Sequence, residues 1–333
     1  MLRIISELRQ RAKKNPAKIV LPEAEDRRVL EAASVIVREG FSDIILLGRK
    51  DLVEKTAKET GIDTRDLNII DPTTSEELES LSQKFYEIRK HKGLSLAEAK
   101  QLLIDKPVNF AGMLVREKKA DGFVAGAVHT TREVARAGLY CIGLDRSVGT
   151  MSSSFIMALD DESFGAGGVL VFADCGIVPF PSSKQLANIA ISASDLMKKL
   201  FCVEPKTALL SFSTKGSGAT KDTEKLLKAL ESVRSSRPDI LIDGELQADS
   251  ALVPEVAAFK APNSPVGGEA NVLIFPNLEA GNIAYKLTQR LAKARALGPL
   301  LHGILAPCSD LSRGCTVEDV IDIVCVTAIR ANN

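Results

Sequence analysis

Short apolar runs of strand length alternate with longer amphipathic stretches through the first third of the chain, and this alternation leaves few folds open to it. Lys18-Ile-Val-Leu-Pro22 reads as a buried strand and Asp43-Ile-Ile-Leu-Leu47 as the next. Between them Val29, Ala33 and Val37 recur at helical spacing and Gly40 is placed to end the helix. An opening helix from about Leu2 to Lys14 precedes this β-α-β unit. Further strands, Asn68-Ile-Ile70 and Gly122-Phe-Val-Ala125, are separated by amphipathic stretches from Ser75 to Lys92 and from Ser95 to Lys118. Such alternation builds a largely parallel sheet covered by helices on both faces.

After Gly149 the texture changes. Ser154-Phe-Ile-Met-Ala-Leu159 and Gly168-Val-Leu-Val-Phe-Ala173 are joined by the acidic, glycine-rich segment Asp160 to Gly167, which predicts a hairpin-like pair. A domain boundary is expected there, because 333 residues exceed the roughly 250 to 300 that one core serves. The second domain is also read as α/β, with Ala208-Leu-Leu-Ser211 before a helix from Asp222 to Arg234. Val272-Leu-Ile-Phe275 then precedes a long helix from Leu278 to Ala296. A last strand, Gly303-Ile-Leu305, leads through a polar loop into a helix from Thr316 to Ala331, whose apolar face is Val320, Ile323, Val324 and Thr327.

Lys plus Arg and Asp plus Glu are equal at 43 each, so no global field favours nucleic acid or an anionic membrane. An anionic ligand must be held by a local cluster. The N-terminal residues mix charge with apolar side chains, unlike a signal peptide, and no window approaches the ~20 apolar residues that cross a bilayer. The six cysteines, at 141, 175, 202, 308, 315 and 325, show no C-x-x-C spacing and are read as reduced thiols in a cytoplasm. His91, His129 and His302 lie far apart without an HExxH pattern, so no dedicated metal site is expected. Gly165-Ala-Gly-Gly168 precedes a strand, the wrong order for a dinucleotide fingerprint, and no G-x-S-x-G elbow is present.

Three strand-loop-helix junctions carry basic or small polar residues suited to an oxyanion: Ala127 to Arg136, Phe212 to Gly218, and Pro307 to Thr316. In the third, Ser312, Arg313 and Gly314 stand just before a helix whose first turn holds Asp319. The hydroxyl can stabilise an oxyanion, the guanidinium can fork a phosphate, and the carboxylate can take a proton. Thr316-Val-Glu-Asp319 and Thr130-x-x-Glu133 equally have capping-box spacing. Lys215-Gly-Ser-Gly218 resembles a phosphate cradle without P-loop order, and equally a flexible turn. Arg89, Lys90 and Lys92 end a helix where the macrodipole alone favours positive charge. Cys308 and Cys315 flank the third junction with no histidine in the same segment, and are read as packing residues.

Asp310-Leu-Ser-Arg-Gly-Cys-Thr-Val-Glu-Asp319 resembles the C-terminal signature of the phosphate acetyltransferase and butyryltransferase family. Phe172-Ala-Asp-Cys175, Phe212-Ser-Thr-Lys-Gly-Ser-Gly218, Gly244-Glu-Leu-Gln-Ala-Asp249, Ala270-Asn-Val-Leu-Ile-Phe-Pro276 and Leu278-Glu-Ala-Gly-Asn-Ile-Ala-Tyr-Lys286 follow in the family's order. The resemblance implies two α/β domains of isocitrate/isopropylmalate dehydrogenase-like architecture with an active-site cleft between them. The first would comprise residues 1–150 plus 300–333, the second 151–299. It further implies reversible acetyl transfer between acetyl phosphate and coenzyme A by direct thiolate attack in a ternary complex. Coenzyme A would be a substrate, with no permanent cofactor or metal, and the protein a cytoplasmic homodimer that binds neither nucleic acid nor membrane. By motif position, Asp319 would be the base for the thiol, Ser312 would stabilise the tetrahedral intermediate and Arg313 would hold the acyl phosphate. Arg89 and Arg136 match coenzyme A-binding arginines, and Lys215 is a further substrate-binding candidate. Three rivals remain: a butyryltransferase sharing the signature, a relative of the dehydrogenases of the same architecture, and the non-catalytic acyltransferase-like domain fused to some malic enzymes.

Overall fold

The computed structural model describes residues 3–332. The chain divides into two compact units, one of Arg3–Leu144 with the residues from Ile304 onward, the other of Asp145–Gly303.

In the first unit, helix α1 (Arg3–Lys14) leads to strand β1 (Lys18–Leu21), helix α2 (Arg27–Glu39) and strand β2 (Asp43–Leu47). Asp26 caps α2 by accepting from Arg28 N at 2.8 Å, and Gly40, at φ 68°, returns its amide to the carbonyls of Ile36 and Val37. Helix α3 (Lys50–Thr60), strand β3 (Asn68–Ile70) and helix α4 (Leu78–Arg89) follow. The amphipathic stretch 95–118 is two helices, α5 (Leu96–Asp105) and α6 (Pro107–Arg116). Pro107 has no amide to continue α5 and is suited to open α6. Strand β4 (Gly122–Ala125) and helix α7 (Thr131–Ala137) complete this part, with α7 running into a π turn over Gly138–Ile142.

The second unit opens with β5 (Ser152–Ala158) and β6 (Val169–Ala173), which pair antiparallel with Phe155 opposite Phe172, the hairpin-like pair expected from the sequence. It continues through α8 (Ser183–Phe201), β7 (Lys206–Leu210), α9 (Lys221–Ser236), β8 (Leu241–Leu246), α10 (Ala248–Leu252), α11 (Pro254–Lys260), β9 (Val272–Ile274), α12 (Leu278–Leu291) and β10 (Arg295–His302). Its sheet runs β10-β5-β6-β9-β7-β8, antiparallel at β10-β5-β6 and parallel beyond. The expected helix 278–296 therefore stops at Leu291, and the expected strand at Gly303 lies before it, at Arg295–His302. Gly298-Pro299 hides that strand from a sequence reader. A register irregularity between Leu297 and Leu300 accommodates the proline, which has no amide for the ladder.

The chain then returns to the first unit as β11 (Cys308–Asp310) and α13 (Val317–Ala331). The first unit's sheet is β3-β2-β1-β4-β11, parallel throughout. Ile19, Val20 and Leu21 of β1 are all buried, the unbroken apolar pattern of a strand covered on both faces. The chain is thus α/β in both units.

Candidate active site

Strands β1, β4 and β11 are neighbours in one parallel sheet, so the segments leaving their carboxyl ends, 22–26, 126–130 and 311–316, share an edge. Glu23 organises the second of these. Its carboxylate, 2% exposed, accepts from the amides of Gly126 and Ala127 at 2.9 Å on Oε2. On Oε1 it accepts from Val128 N at 2.9 Å and His129 N at 2.8 Å, with His129 Nδ1 at 2.8 Å. Burial alone would raise the pKa of Glu23, but these bonds outweigh it and the carboxyl lies below its usual range. The amides of this junction are therefore turned to an internal carboxylate.

Arg28 links that loop to the third segment. Its Nη2 donates to Ala127 O at 2.9 Å, and its Nη1 to Arg313 O at 2.7 Å and Cys315 O at 3.0 Å. Asp26 grips the same guanidinium in a fork, through Nε at 3.0 Å and Nη2 at 2.8 Å. A second tie runs from Thr131 Oγ1 to Asp310 Oδ2 at 2.5 Å. Asp310 is wholly buried, its Oδ1 has no hydrogen-bond partner, and desolvation pushes its pKa up to about 7. Gly126, at φ 118°, faces this carboxyl so closely that a Cβ would stand 2.2 Å from Asp310 Oδ1. Only glycine fits there.

Beyond Asp310 the chain makes a tight turn, with Cys315 N donating to Ser312 O at 2.8 Å and Gly314 N to Ser312 Oγ at 3.2 Å. Ser312, Arg313 and Gly314 are exposed. Thr316 and Asp319 form a full capping box: Thr316 N donates to Asp319 Oδ2 at 2.9 Å and Asp319 N to Thr316 Oγ1 at 3.2 Å. The half-buried Asp319 carboxylate is thereby folded back onto the loop that carries Ser312 and Arg313. Burial raises the thiol of Cys315 to about 11 and that of Cys308 to about 12, so both are protonated packing groups at neutral pH.

The other sequence-predicted residues divide by unit. Arg136, on α7, is exposed, whereas Glu133 of the same helix caps Thr130 and pairs with Lys106 at 2.8 Å. Arg89, at the end of α4, lays its guanidinium 3.9 Å from the ring centroid of Tyr140 in the π turn after α7. Lys215 belongs to the second unit, where its Nζ meets Asp243 Oδ1 at 2.6 Å and Gly244 O at 3.1 Å. The neighbouring amide of Gly216 donates to Glu245 at 2.7 Å. Ser312, Arg313 and Asp319 thus share one junction. Glu23, Arg28 and Asp310 support it and were not singled out from sequence, although an acidic residue two positions after β1 and an arginine in the first turn of α2 are the signals that could have drawn attention. Among the described residues no His, Cys, Asp and Glu group is arranged to hold a metal ion.

Residues 3–328 match the family model described as Phosphate acetyl/butaryl transferase. A phosphate acetyltransferase of Thermoanaerobacterium thermosaccharolyticum is 46% identical over 328 residues, spanning 98% of this chain and 99% of that one. Among solved structures, a phosphotransacetylase from Streptococcus pyogenes superposes with a TM-score of 0.92 at 38% identity, covering 99% of both chains. A 4-hydroxythreonine-4-phosphate dehydrogenase from Klebsiella pneumoniae shares the fold alone, with a TM-score of 0.54 at 10% identity over 95% of this chain and 100% of that one.

Proposed function

Because the chain belongs to the phosphate acetyl/butyryl transferase family, we propose that it is a phosphate acetyltransferase, interconverting acetyl phosphate plus coenzyme A with acetyl-coenzyme A plus phosphate. The observation that carries the mechanism is the Thr316–Asp319 capping box, which folds a carboxylate back onto the loop that carries the exposed Ser312, Arg313 and Gly314.

A thiol of pKa about 8.5 is mostly protonated at neutral pH and needs a positioned base. Asp319 takes that proton. The thiolate attacks the acetyl carbon directly, in a ternary complex, while the Ser312 hydroxyl donates to the oxyanion of the tetrahedral intermediate. Arg313 holds the phosphoryl group in a bidentate fork, and the start of α13 adds its dipole to the same anion. Arg136 and Arg89 are the proposed contacts for coenzyme A, whose phosphates demand cations on a chain with no net charge. Lys215 is the corresponding candidate in the second unit, with an ammonium already partly satisfied by Asp243. Coenzyme A enters as a substrate and leaves as one, so the reaction needs no resident cofactor.

A homodimer is supported by helix α12, where Ile283, Leu287 and Leu291 form an apolar stripe 58%, 53% and 79% exposed. A cytoplasmic place in acetate metabolism accords with six free cysteines and with the lack of any helix, among the described residues, long and apolar enough to cross a membrane.

Thioester formation from coenzyme A with acetyl, propionyl and butyryl phosphate tests the proposal. Acetyl phosphate is expected to give the highest kcat/KM. A preference for butyryl phosphate would move the chain to the other branch of its family, and no thioester from any donor would overturn the reading. Sedimentation of the wild type and of Leu287→Glu tests the dimer, the variant being expected to sediment as a monomer.

A further inference from the structure

Glu23 and His129 form a carboxylate–imidazole pair at the edge of the junction described above. The carboxylate only accepts, so at 2.8 Å Nδ1 of His129 carries the proton on that side. No other described residue hydrogen-bonds Nε2. The ring is 16% exposed, and the same carboxylate oxygen also takes the amides of Val128 and His129, which fixes where the ring begins. Ties on either side join the loop of His129 to the Asp310–Asp319 segment. Two residues before it, Ala127 O shares the Arg28 guanidinium with the carbonyls of Arg313 and Cys315. Two residues after it, Thr131 donates to Asp310.

The proposed reaction leaves one proton unassigned. Asp319 accepts the proton of the thiol. Cleavage of the carbon–oxygen bond in an acyl phosphate dianion would, however, expel phosphate as a trianion, a far stronger base than a carboxylate. Guanidinium groups offset the charge but deliver no proton near neutral pH. Imidazole is the side chain suited to that task.

We propose that His129, oriented by Glu23, is the general acid that protonates the bridging oxygen of the leaving phosphate; the inference rests on the acetyltransferase reading. The sulfur–carbon bond forms, the carbon–oxygen bond breaks with its electron pair going to the bridging oxygen, and the Nε2 proton moves to that oxygen. Hydrogen phosphate dianion departs and neutral His129 keeps Nδ1–H on Glu23. Asp319 has gained one proton and His129 has lost one, and exchange with solvent resets both. In the reverse direction neutral His129 takes the proton of the attacking phosphate. The charged groups carried by the segments tied to its loop are Glu23, Asp26 and Arg28 near the β1–α2 junction, Asp310, Arg313 and Asp319 near the β11–α13 junction, and Arg132, Glu133 and Arg136 on α7.

The test measures kcat and KM for both substrates against pH in His129→Gln, His129→Asn and Glu23→Gln, with Asp319→Asn in parallel. His129→Gln and His129→Asn are expected to lower kcat by roughly 100-fold with little change in KM. In both, the alkaline limb of the acetyl phosphate direction, set in the wild type by loss of the Nε2 proton, should vanish. Added imidazole should restore part of the rate to His129→Ala. Glu23→Gln should keep the limb and displace it. A folded His129→Gln or His129→Asn with wild-type kcat, or with the alkaline limb in place, overturns the proposal, as does a His129→Ala that imidazole leaves inactive. If Asp319→Asn is inactive while the His129 variants are normal, only the role of His129 falls. If Asp319→Asn is fully active, the acetyltransferase mechanism falls with it.

Discussion

Nη1 of Arg28 donates to the main-chain carbonyl of Arg313 at 2.7 Å, although 285 residues separate the two in sequence. The bond joins the first turn of α2 to the loop that presents Ser312 and the Arg313 side chain. Arg28→Met removes it together with the bonds to Cys315 O and Ala127 O, and leaves Asp26 with the main-chain amide of residue 28 but no guanidinium. Its kcat/KM is expected to fall by roughly 10- to 100-fold, an order of magnitude per ~1.4 kcal/mol of lost transition-state positioning. Arg28→Lys should recover little, because an ammonium cannot span acceptors that a planar fork reaches together. Steady-state kinetics on both variants checks this.

The reason these supports escaped sequence reading is physical. Ser312, Arg313, Thr316 and Asp319 act within one loop and one helix start, and local spacing reports local geometry. The same spacing left the cap and the base unresolved for Asp319, and the cap is present in the structure. Glu23 and Arg28 work through backbone groups more than 100 and 285 residues away, which impose no pattern on the intervening sequence. Elements with an unbroken period, such as β2 and α13, were legible almost to the residue. Arg295–His302 was not, because Gly298-Pro299 breaks the alternation and only a register irregularity on β5 admits it.

Asp310 makes stability depend on pH. Its carboxyl is raised to about 7 in the folded chain, above the ordinary value near 3.9 that the unfolded chain shows. The folded state therefore holds the proton more tightly, so this contribution is fully present below about pH 4 and is lost as pH rises through about 7. Asp310→Asn keeps an acceptor for Thr131 and has no such dependence. Urea unfolding of both proteins between those limits should show the variant gaining on the wild type as pH rises, by up to about 4 kcal/mol.

Gly281 lies in α12 where an added Cβ would stand 2.3 Å from Asp174 O and 3.1 Å from Cys175 Sγ. The Asp174 main chain cannot retreat cheaply, since its carboxylate is held by Ser153 Oγ at 2.5 Å, Gly176 N at 2.9 Å and Val178 N at 2.7 Å. Gly281→Ala should lose about 1–3 kcal/mol to overpacking despite alanine's higher helix propensity. A lowered Tm by calorimetry is the expected result.

The three candidate substrate cations should differ in degree. Arg136 is exposed and Arg89 rests on Tyr140, so Arg136→Met and Arg89→Met should raise KM for coenzyme A by roughly 10-fold or more, about the worth of one charge-assisted bond. Lys215 is already paired with Asp243, which Arg234 also meets at 3.0 Å, so Lys215→Met should raise KM less than either arginine variant. Initial rates at varied coenzyme A rank the three.

The most direct measurement is the rate of thioester formation from acetyl phosphate and coenzyme A by Asp319→Asn, with its Tm recorded alongside. Asparagine keeps a side-chain oxygen for Thr316 N, so the helix start should survive and Tm should stay close to that of the wild type. It cannot take a proton from the thiol, and kcat should fall by roughly 10²–10⁴-fold. A variant that folds and retains wild-type kcat would contradict the account, leaving Asp319 as the cap of its helix and nothing more.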